Sequence, residues 1–510
     1  MPRLDPNFSR VEDPRGTEQM LRALEANGPE ARHGPGRRRF SLYGASFEVD
    51  RGEDALAAAE SARVYSTNQR RHPRVPLNGR VRFGPKGPVA GLIDINADGF
   101  AARVHPAARH RIPGYAWVEI VLGRDVIAGY ARLRRTEERQ HHIVLGFELE
   151  PEHERVDVVR NILEHAFPSI IPRADLPPNA VSRLLMESGY LDLCEDGGLP
   201  EAWLAFRDPR SFDLVAVGDD ATPVAHLSIT KAFSTTWVAH QLASRSTHNE
   251  SFWSWYQLHR YLACLPAMMD GANAHVVAYY NPSQPYHQRY LRAFGGWMRS
   301  EDDVVIAQAN MFHLDAASDD VAAPESLDEW SVSLLTSHDR EAAHRIAMQN
   351  MRPLVARAFD ITPSTLETAD LTRSTGDLER ARRVFVLRRR GEVLAIALCE
   401  RGHSAISIFG LFDLVYVLPS RDGLVVPQRA IGMLMEAARG FYRTEGVDRA
   451  LVFAPVGYMI SEAHPALEYS HVVERFIMGG HALRHYENFV RYTFGRAARA
   501  VKRKMKWKER

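Results

Sequence analysis

Cysteine is scarce in this chain of 510 residues: Cys194, Cys264 and Cys399 are scattered, and none belongs to a Cys-x-x-Cys pair. That excludes a disulfide framework and a cysteine-based zinc site, and points to a reducing compartment. Long apolar runs are missing too. None approaches the roughly 20 residues that a bilayer span needs, so no transmembrane segment is expected. The first residues, Met1-Pro2-Arg3-Leu4-Asp5, show no apolar h-region. No secretory signal is therefore expected, and the location expected is cytoplasmic. The net charge is only +1, so no global field draws the chain to nucleic acid or membrane, and no nucleic-acid partner is expected. No Walker, Gly-x-Gly-x-x-Gly or Gly-x-Ser-x-Gly pattern stands in the strand–turn–helix setting that gives it meaning. His141-His142 has no further ligand at metal spacing, so no metal site is expected.

What is present fits a soluble globular protein, with 45% hydrophobic and 25% charged residues. The length is too great for one core, so several domains are expected. The most informative stretch is Asn68-Gln69-Arg70-Arg71-His72-Pro73-Arg74-Val75-Pro76-Leu77. Pro73 and Pro76 disfavour the α conformation before them, which puts the arginines on an extended segment. Arg70 and Arg74 are an even number of positions apart, so in extended chain they point to one side. Two guanidinium forks there can clamp phosphates or meet a guanine edge. About twenty residues on, Asp94-Ile95-Asn96-Ala97-Asp98-Gly99 reads as a strand turning into another strand. Asp94 and Asn96 share a face and can accept from guanine nitrogens. Gly99 offers positive φ or close approach of a ligand.

Arg-x-x-x-Arg followed by Asp/Asn-x-Ser-x-x-Gly at this distance resembles the PilZ domain, a small antiparallel β-barrel that binds cyclic di-GMP. The match falls on Arg70, Arg74, Asp94 and Gly99, with Asn96 where the family has Ser. Arg134-Arg135, the strand Ile143–Leu149 and a helix Val156–Ala166 resemble the closing strands and C-terminal helix of that barrel. The resemblance spans residues 66–167. It implies cyclic di-GMP as ligand, held by Arg70, Arg74, Asp94, Asn96 and Gly99. Residues 1–65 are expected to be a partly disordered extension with one short helix, 17–26, and a small β element at 39–49.

Pro168, Pro172, Pro177 and Pro178 mark a boundary. Beyond it, strands alternate with longer helices, an α/β (α+β) texture. A hairpin at 211–230, a strand at 235–242, a helix at 252–265, a strand at 274–280 and a helix at 286–294, stopped by Gly295-Gly296, form one plan. The plan recurs with a helix at 340–359 broken at Pro353, a hairpin at 383–400, strand material at 404–418, a helix at 428–442, a strand at 449–454 and helix and turn at 474–486. This order resembles tandem GNAT acyltransferase domains, 168–322 and 323–495, ahead of a basic tail at 496–510. In that family a Gln/Arg-x-x-Gly-x-Gly/Ala loop holds the pyrophosphate of acyl-coenzyme A. The matching segment is Arg429–Leu434, with Leu434 in place of the final small residue. The first-half counterpart, Gln241–Ser246, has no glycine. His240 stands where a general base is conceivable, though a hydrogen-bonded strand-end histidine explains it as well.

The fold class expected is thus multidomain: a PilZ-like barrel plus a GNAT-like α/β region in two repeats. Three functions follow from the resemblances. One is a cyclic di-GMP receptor whose degenerate acyltransferase-like half relays the signal to a protein partner of unknown identity. The second is an N-acyltransferase that uses acyl-coenzyme A and is regulated by the nucleotide. The third is a scaffold whose barrel no longer binds. No catalytic residue is assigned.

Overall fold

The computed structural model describes residues 37–42, 45–50, 74–188, 190, 203, 211–218, 222–245, 249–280, 282, 285–298, 300–318, 327–366, 380–403, 410–422 and 425–493. Arg70, the helix expected at 17–26 and the basic tail lie outside the described residues. Two short strands, β1 (Arg37–Leu42) and β2 (Ala45–Asp50), pair as an antiparallel hairpin where a small β element is expected.

Strict alternation builds the next unit. In β4 (Arg80–Phe83) exposed arginines alternate with buried Val81 and Phe83, which gives the strand one wet face and one apolar face. With β5 (Val89–Asn96), β6 (Gly99–Val104), β7 (Tyr115–Leu122), β8 (Asp125–Arg139) and β9 (His142–Pro151), it forms a closed six-stranded antiparallel barrel. The order is β5-β4-β7-β8-β9-β6, with β6 returning to β5. Closure removes the free edges that an open sheet of this size would expose. The two-residue strand β3 (Val75–Pro76) pairs with β5, setting Val75 opposite Ile95 and Pro76 opposite Asp94. Phe147 stacks on Phe100 at 4.9 Å and tilts against Phe83 at 5.2 Å inside the barrel. The helix α1 (Arg155–Ala166) buries Val158, Val159, Ile162 and Leu163.

β10 (Ile170–Pro172), followed by α2 (Pro178–Glu187), is the edge strand that opens a twelve-stranded sheet. Its first half runs β11 (Ser211–Val217), β12 (Pro223–Lys231) and β13 (Thr236–Ser244), all antiparallel. Then come the helix α3 (Asn249–Asp270), β14 (His275–Tyr280) parallel to β13, α4 (Pro285–Met298) and β15 (Val304–Asp315). The edge strand β16 (Trp330–Leu334) and the helices α5 (Arg340–Asn350) and α6 (Pro353–Ala358) open the second half. The plan then repeats with β17 (Ala381–Arg389), β18 (Glu392–Arg401), β19 (Leu414–Pro419), α7 (Gln428–Thr444) and β20 (Arg449–Pro455), parallel to β19. The chain ends in β21 (Leu467–Gly479) and α8 (Gly480–Thr493).

The boundary expected at 322/323 falls outside the described residues, and strands from either side of it share one sheet. Some expectations need correction. β21 lies between β14 and β15, and β15 lies between β21 and β20, so each half completes the other's hydrogen-bond ladder. Residues 474–479 are therefore strand, and the helix begins only at Gly480. Gly295-Gly296 does not stop α4. A Cβ at Gly295 would stand 3.2 Å from Ile306 Cδ1, so this glycine serves close packing on β15. The helix α3 continues past Pro266, because the flanking Leu265, Ala267 and Met268 are buried and hold the turn that lacks its N–H.

The barrel and the sheet share one core. Phe100, Ile162 and Leu163 on the barrel side are continuous with Leu258, Tyr261 and Leu262 of α3. Arg155, at the start of α1, crosses this junction. Its Nη1 and Nη2 donate to Asp98 Oδ1 at 2.8 and 2.7 Å, and its Nε donates to the carbonyl of Met268 at 3.1 Å.

Candidate functional site

The pairing of β3 with β5 sets Arg74 beside Asp94. Nη1 donates to Asp94 Oδ1 at 2.9 Å, and Nη2 donates to the carbonyl of Phe147 at 3.4 Å. The side chains are 16% and 22% exposed, enough shelter to fix the guanidinium. Asp94, read from the sequence as an acceptor for guanine nitrogens, thus has one oxygen engaged by Arg74. Asn96 is buried, and its Oδ1 accepts from the N–H of Asp98 at 3.1 Å. That bond pins the β5–β6 turn, a task a Ser hydroxyl performs more weakly. Gly99 does not use positive φ. A Cβ there would stand 2.3 Å from the carbonyl oxygen of Phe147 and 3.2 Å from Arg74 Nη2. Glycine is required because β9 and the arginine come so close. Arg74, Asp94, Asn96 and Gly99 therefore meet at one place, and Arg70 lies outside the described residues.

This place opens on a cleft of about 410 Å³ across the outer face of four neighbouring strands. Ile93, Asp94 and Asn96 come from β5, Ala101 from β6, Val144, Gly146 and Glu148 from β9, and Arg134, Arg135, Glu137 and Arg139 from β8. Positions 135, 137 and 139 share a face by alternation. Arg134 joins them because the β8–β9 register shifts between Leu133 and Arg135, and such a bulge turns consecutive side chains to one side. Arg134 Nε donates to Glu148 at 2.8 Å. Arg139 Nε donates to Glu137 Oε1 at 3.0 Å, and Arg135 donates to the same carboxylate. Hydrogen bonds from Arg139 and then Arg135 hold the Glu137 carboxyl below its usual range. Only Arg134-Arg135 is visible as a candidate feature in the sequence. The Arg-x-Glu-x-Arg alternation at 135–139 is a signal that would have extended it. The link from Asp98 to Arg155 has no local signal.

In the α/β region neither pyrophosphate candidate has the expected form. Arg429–Leu434 is the first two turns of α7, not a loop, and Ile431, Gly432 and Leu434 are buried in the core. The N–H groups of Ala430 and Ile431 donate to the carbonyl of Pro427 at 3.0 and 3.1 Å. Gly432, expected in a pyrophosphate loop, is instead a buried residue within the helix. In the other candidate Ala243 and Ser244 sit in the ladder with β12, and Arg245 N–H donates to Val224. Residues 246–248 lie outside the description. Gln241 adopts φ +55° at a bulge, and its side chain accepts from Ser228 at 2.6 Å.

His240 lies in a buried polar strip beside this bulge. Its Nε2 contacts Thr230 Oγ1 at 3.1 Å, and its ring stands edge-on to Phe412 at 5.5 Å. Burial pushes its pKa down to about 4, so at neutral pH it is an uncharged packing residue. Burial alone would push the neighbouring Asp213 carboxyl up. His226, Arg173 and the Ser228 hydroxyl outweigh that and hold it below its usual range. Among the described residues no group of three or more His, Cys, Asp or Glu side chains is arranged to hold a metal. No helix there is long and apolar enough to cross a membrane.

No protein-family model matches this chain, and no functionally curated protein matches it. Solved structures do. A GCN5-related N-acetyltransferase from Sphaerobacter thermophilus is 13% identical, with 61% of this chain and 96% of that chain covered and a TM-score of 0.33. A tandem GNAT protein from the clavulanic acid biosynthesis pathway is 15% identical over 61% and 98%, with a TM-score of 0.31. The N-myristoyltransferase of Saccharomyces cerevisiae is 8% identical over 61% and 80%, also at 0.31.

Proposed function

We propose that this protein is a cyclic di-GMP receptor. In this reading the barrel is PilZ-like, and the acyltransferase-like α/β region relays occupancy to a protein partner. The observation that carries it is Arg74, held by Asp94 and the Phe147 carbonyl at the mouth of the cleft beside a glycine that must be glycine. A guanidinium already fixed loses little rotamer freedom on binding, and its planar fork suits a phosphodiester or a guanine edge. Arg70 supplies the second fork from the segment before β3. Asp94 serves twice, orienting Arg74 and accepting from a guanine N–H with its other oxygen. Asn96 keeps the turn that presents them. The bond from Asp98 to Arg155, and from Arg155 to the Met268 carbonyl, supports a relay from this turn into α3.

Equilibrium binding of labelled cyclic di-GMP to the full chain tests the reading. Saturable binding is expected, weakened at least about tenfold by Arg70→Ala and by Asp94→Ala. Wild-type affinity in both variants would reject the site. Tighter binding by Asp94→Ala would show that the carboxylate repels the ligand's phosphates.

A further inference from the structure

The cleft has a second cationic wall that the Arg74 side does not explain. The described lining has four arginines, Arg74, Arg134, Arg135 and Arg139, and four carboxylates, Asp94, Asp98, Glu137 and Glu148. Three of the arginines stand on β8, one strand step from β9, whose Phe147 carbonyl Arg74 reaches. Positions 135 to 139 carry this wall four residues along β8, about 13 Å at the usual rise. The wall therefore extends past Arg74 and meets a further part of one ligand. Between this wall and Arg74 the floor is low: Gly146 on β9 lies opposite Arg135 and carries no side chain to block the approach.

The two walls also differ in how firmly they are held. The Arg74–Asp94 pair is sheltered. The side chains of Arg134, Arg135 and Arg139 are 56%, 61% and 55% exposed. Exposed pairs of this kind contribute little to stability, so an incoming phosphate displaces Glu148 or Glu137 easily. A strand bulge placed to bring a third arginine onto this face is a device for aiming side chains.

Resting on the receptor reading, we propose that Arg134, Arg135 and Arg139 form a second phosphate subsite, which makes the cleft selective for a ligand with two separated phosphates. Glu137 engages Arg135 and Arg139, and Glu148 engages Arg134. On binding, the arginines exchange the carboxylates for the ligand's second phosphodiester, and no covalent step is involved.

The test is titration calorimetry of the full chain at low and at moderate salt, with cyclic di-GMP and with GMP as probes. Wild type is expected to bind cyclic di-GMP and to bind GMP far more weakly. The triple variant Arg134→Ala/Arg135→Ala/Arg139→Ala is expected to lose at least about tenfold in affinity for cyclic di-GMP and to show a shallower salt dependence. Glu137→Gln, which releases Arg135 and Arg139, is expected to bind a few-fold more tightly. Because the altered side chains are exposed, unchanged melting of the variants separates binding from folding. If wild type binds and Arg74→Ala does not, while the triple variant binds like wild type, the second subsite is wrong and the receptor reading stands. If wild type binds neither probe, both are wrong.

Discussion

Replacing Arg74 probes the site with least disturbance to the fold. In the free protein Arg74→Ala removes one ion pair, Arg74–Asp94 at 2.9 Å, and a long contact to the Phe147 carbonyl. A sheltered pair contributes more than an exposed one, on the order of 1–3 kcal/mol, and in a chain of this length that moves the melting temperature by only a few degrees. In the complex the same substitution removes a charge-assisted, fork-shaped contact. That is about 1.5–3 kcal/mol, or about a 10- to 150-fold loss of affinity. Arg74→Lys keeps the charge but not the planar fork and should recover only part of the loss. Calorimetric titration with cyclic di-GMP, beside a thermal melt of each variant, reads both quantities. An Arg74→Ala protein that melts normally and binds within twofold of wild type would refute the reasoning.

Gly99→Ala is expected to destabilise the barrel by about 1–3 kcal/mol, since its methyl would stand 2.3 Å from a backbone oxygen of β9; an unchanged denaturant midpoint would contradict this. Glu400→Ala should cost about 3–5 kcal/mol, because it strands the fully buried Arg382 and the sheltered Arg380 without their carboxylate. A loss under about 1 kcal/mol in urea unfolding would show that the arginines relax to water. Burial depresses the pKa of His240 and of His275 to about 4. As pH falls below the unfolded value near 6.5, the unfolded chain takes up protons first. Stability should be full above 6.5 and decline toward pH 4, by up to about 1.4 kcal/mol per pH unit for each such histidine. Denaturant midpoints across that range read the slope, which His240→Gln should make shallower and which a flat profile would deny.

Where the hydrophobic period is strong, sequence and structure agree. Ile431, Leu434, Met435, Ala438 and Phe441 recur at helical spacing and are all buried in α7. The strand–turn–strand at Asp94–Gly99 is equally legible. The position of β21 was not, because a strand's place in a sheet depends on which ladder lacks a partner, and β14 and β15 are distant from it in sequence. Gly295-Gly296 reads as a helix stop and is not one, and α3 runs on past 265, because a buried helix keeps its course when packing outweighs local propensity. At the site, Gly99 was found for the wrong reason: the close neighbour is β9, not a ligand. Arg139 was missed because an alternating salt-bridged strand face looks like ordinary solvated surface, and only the shape of the cleft sets it apart.

Titration calorimetry of the full chain with cyclic di-GMP, followed by acetyl-coenzyme A in the same cell, tests the central claim most directly. The account predicts saturable heat with the nucleotide, weakening as salt rises and lost in Arg70→Ala/Arg74→Ala, with little or no heat from the coenzyme. Absence of any nucleotide heat at low salt, with saturable heat from acetyl-coenzyme A, would contradict it and make the α/β region the functional centre.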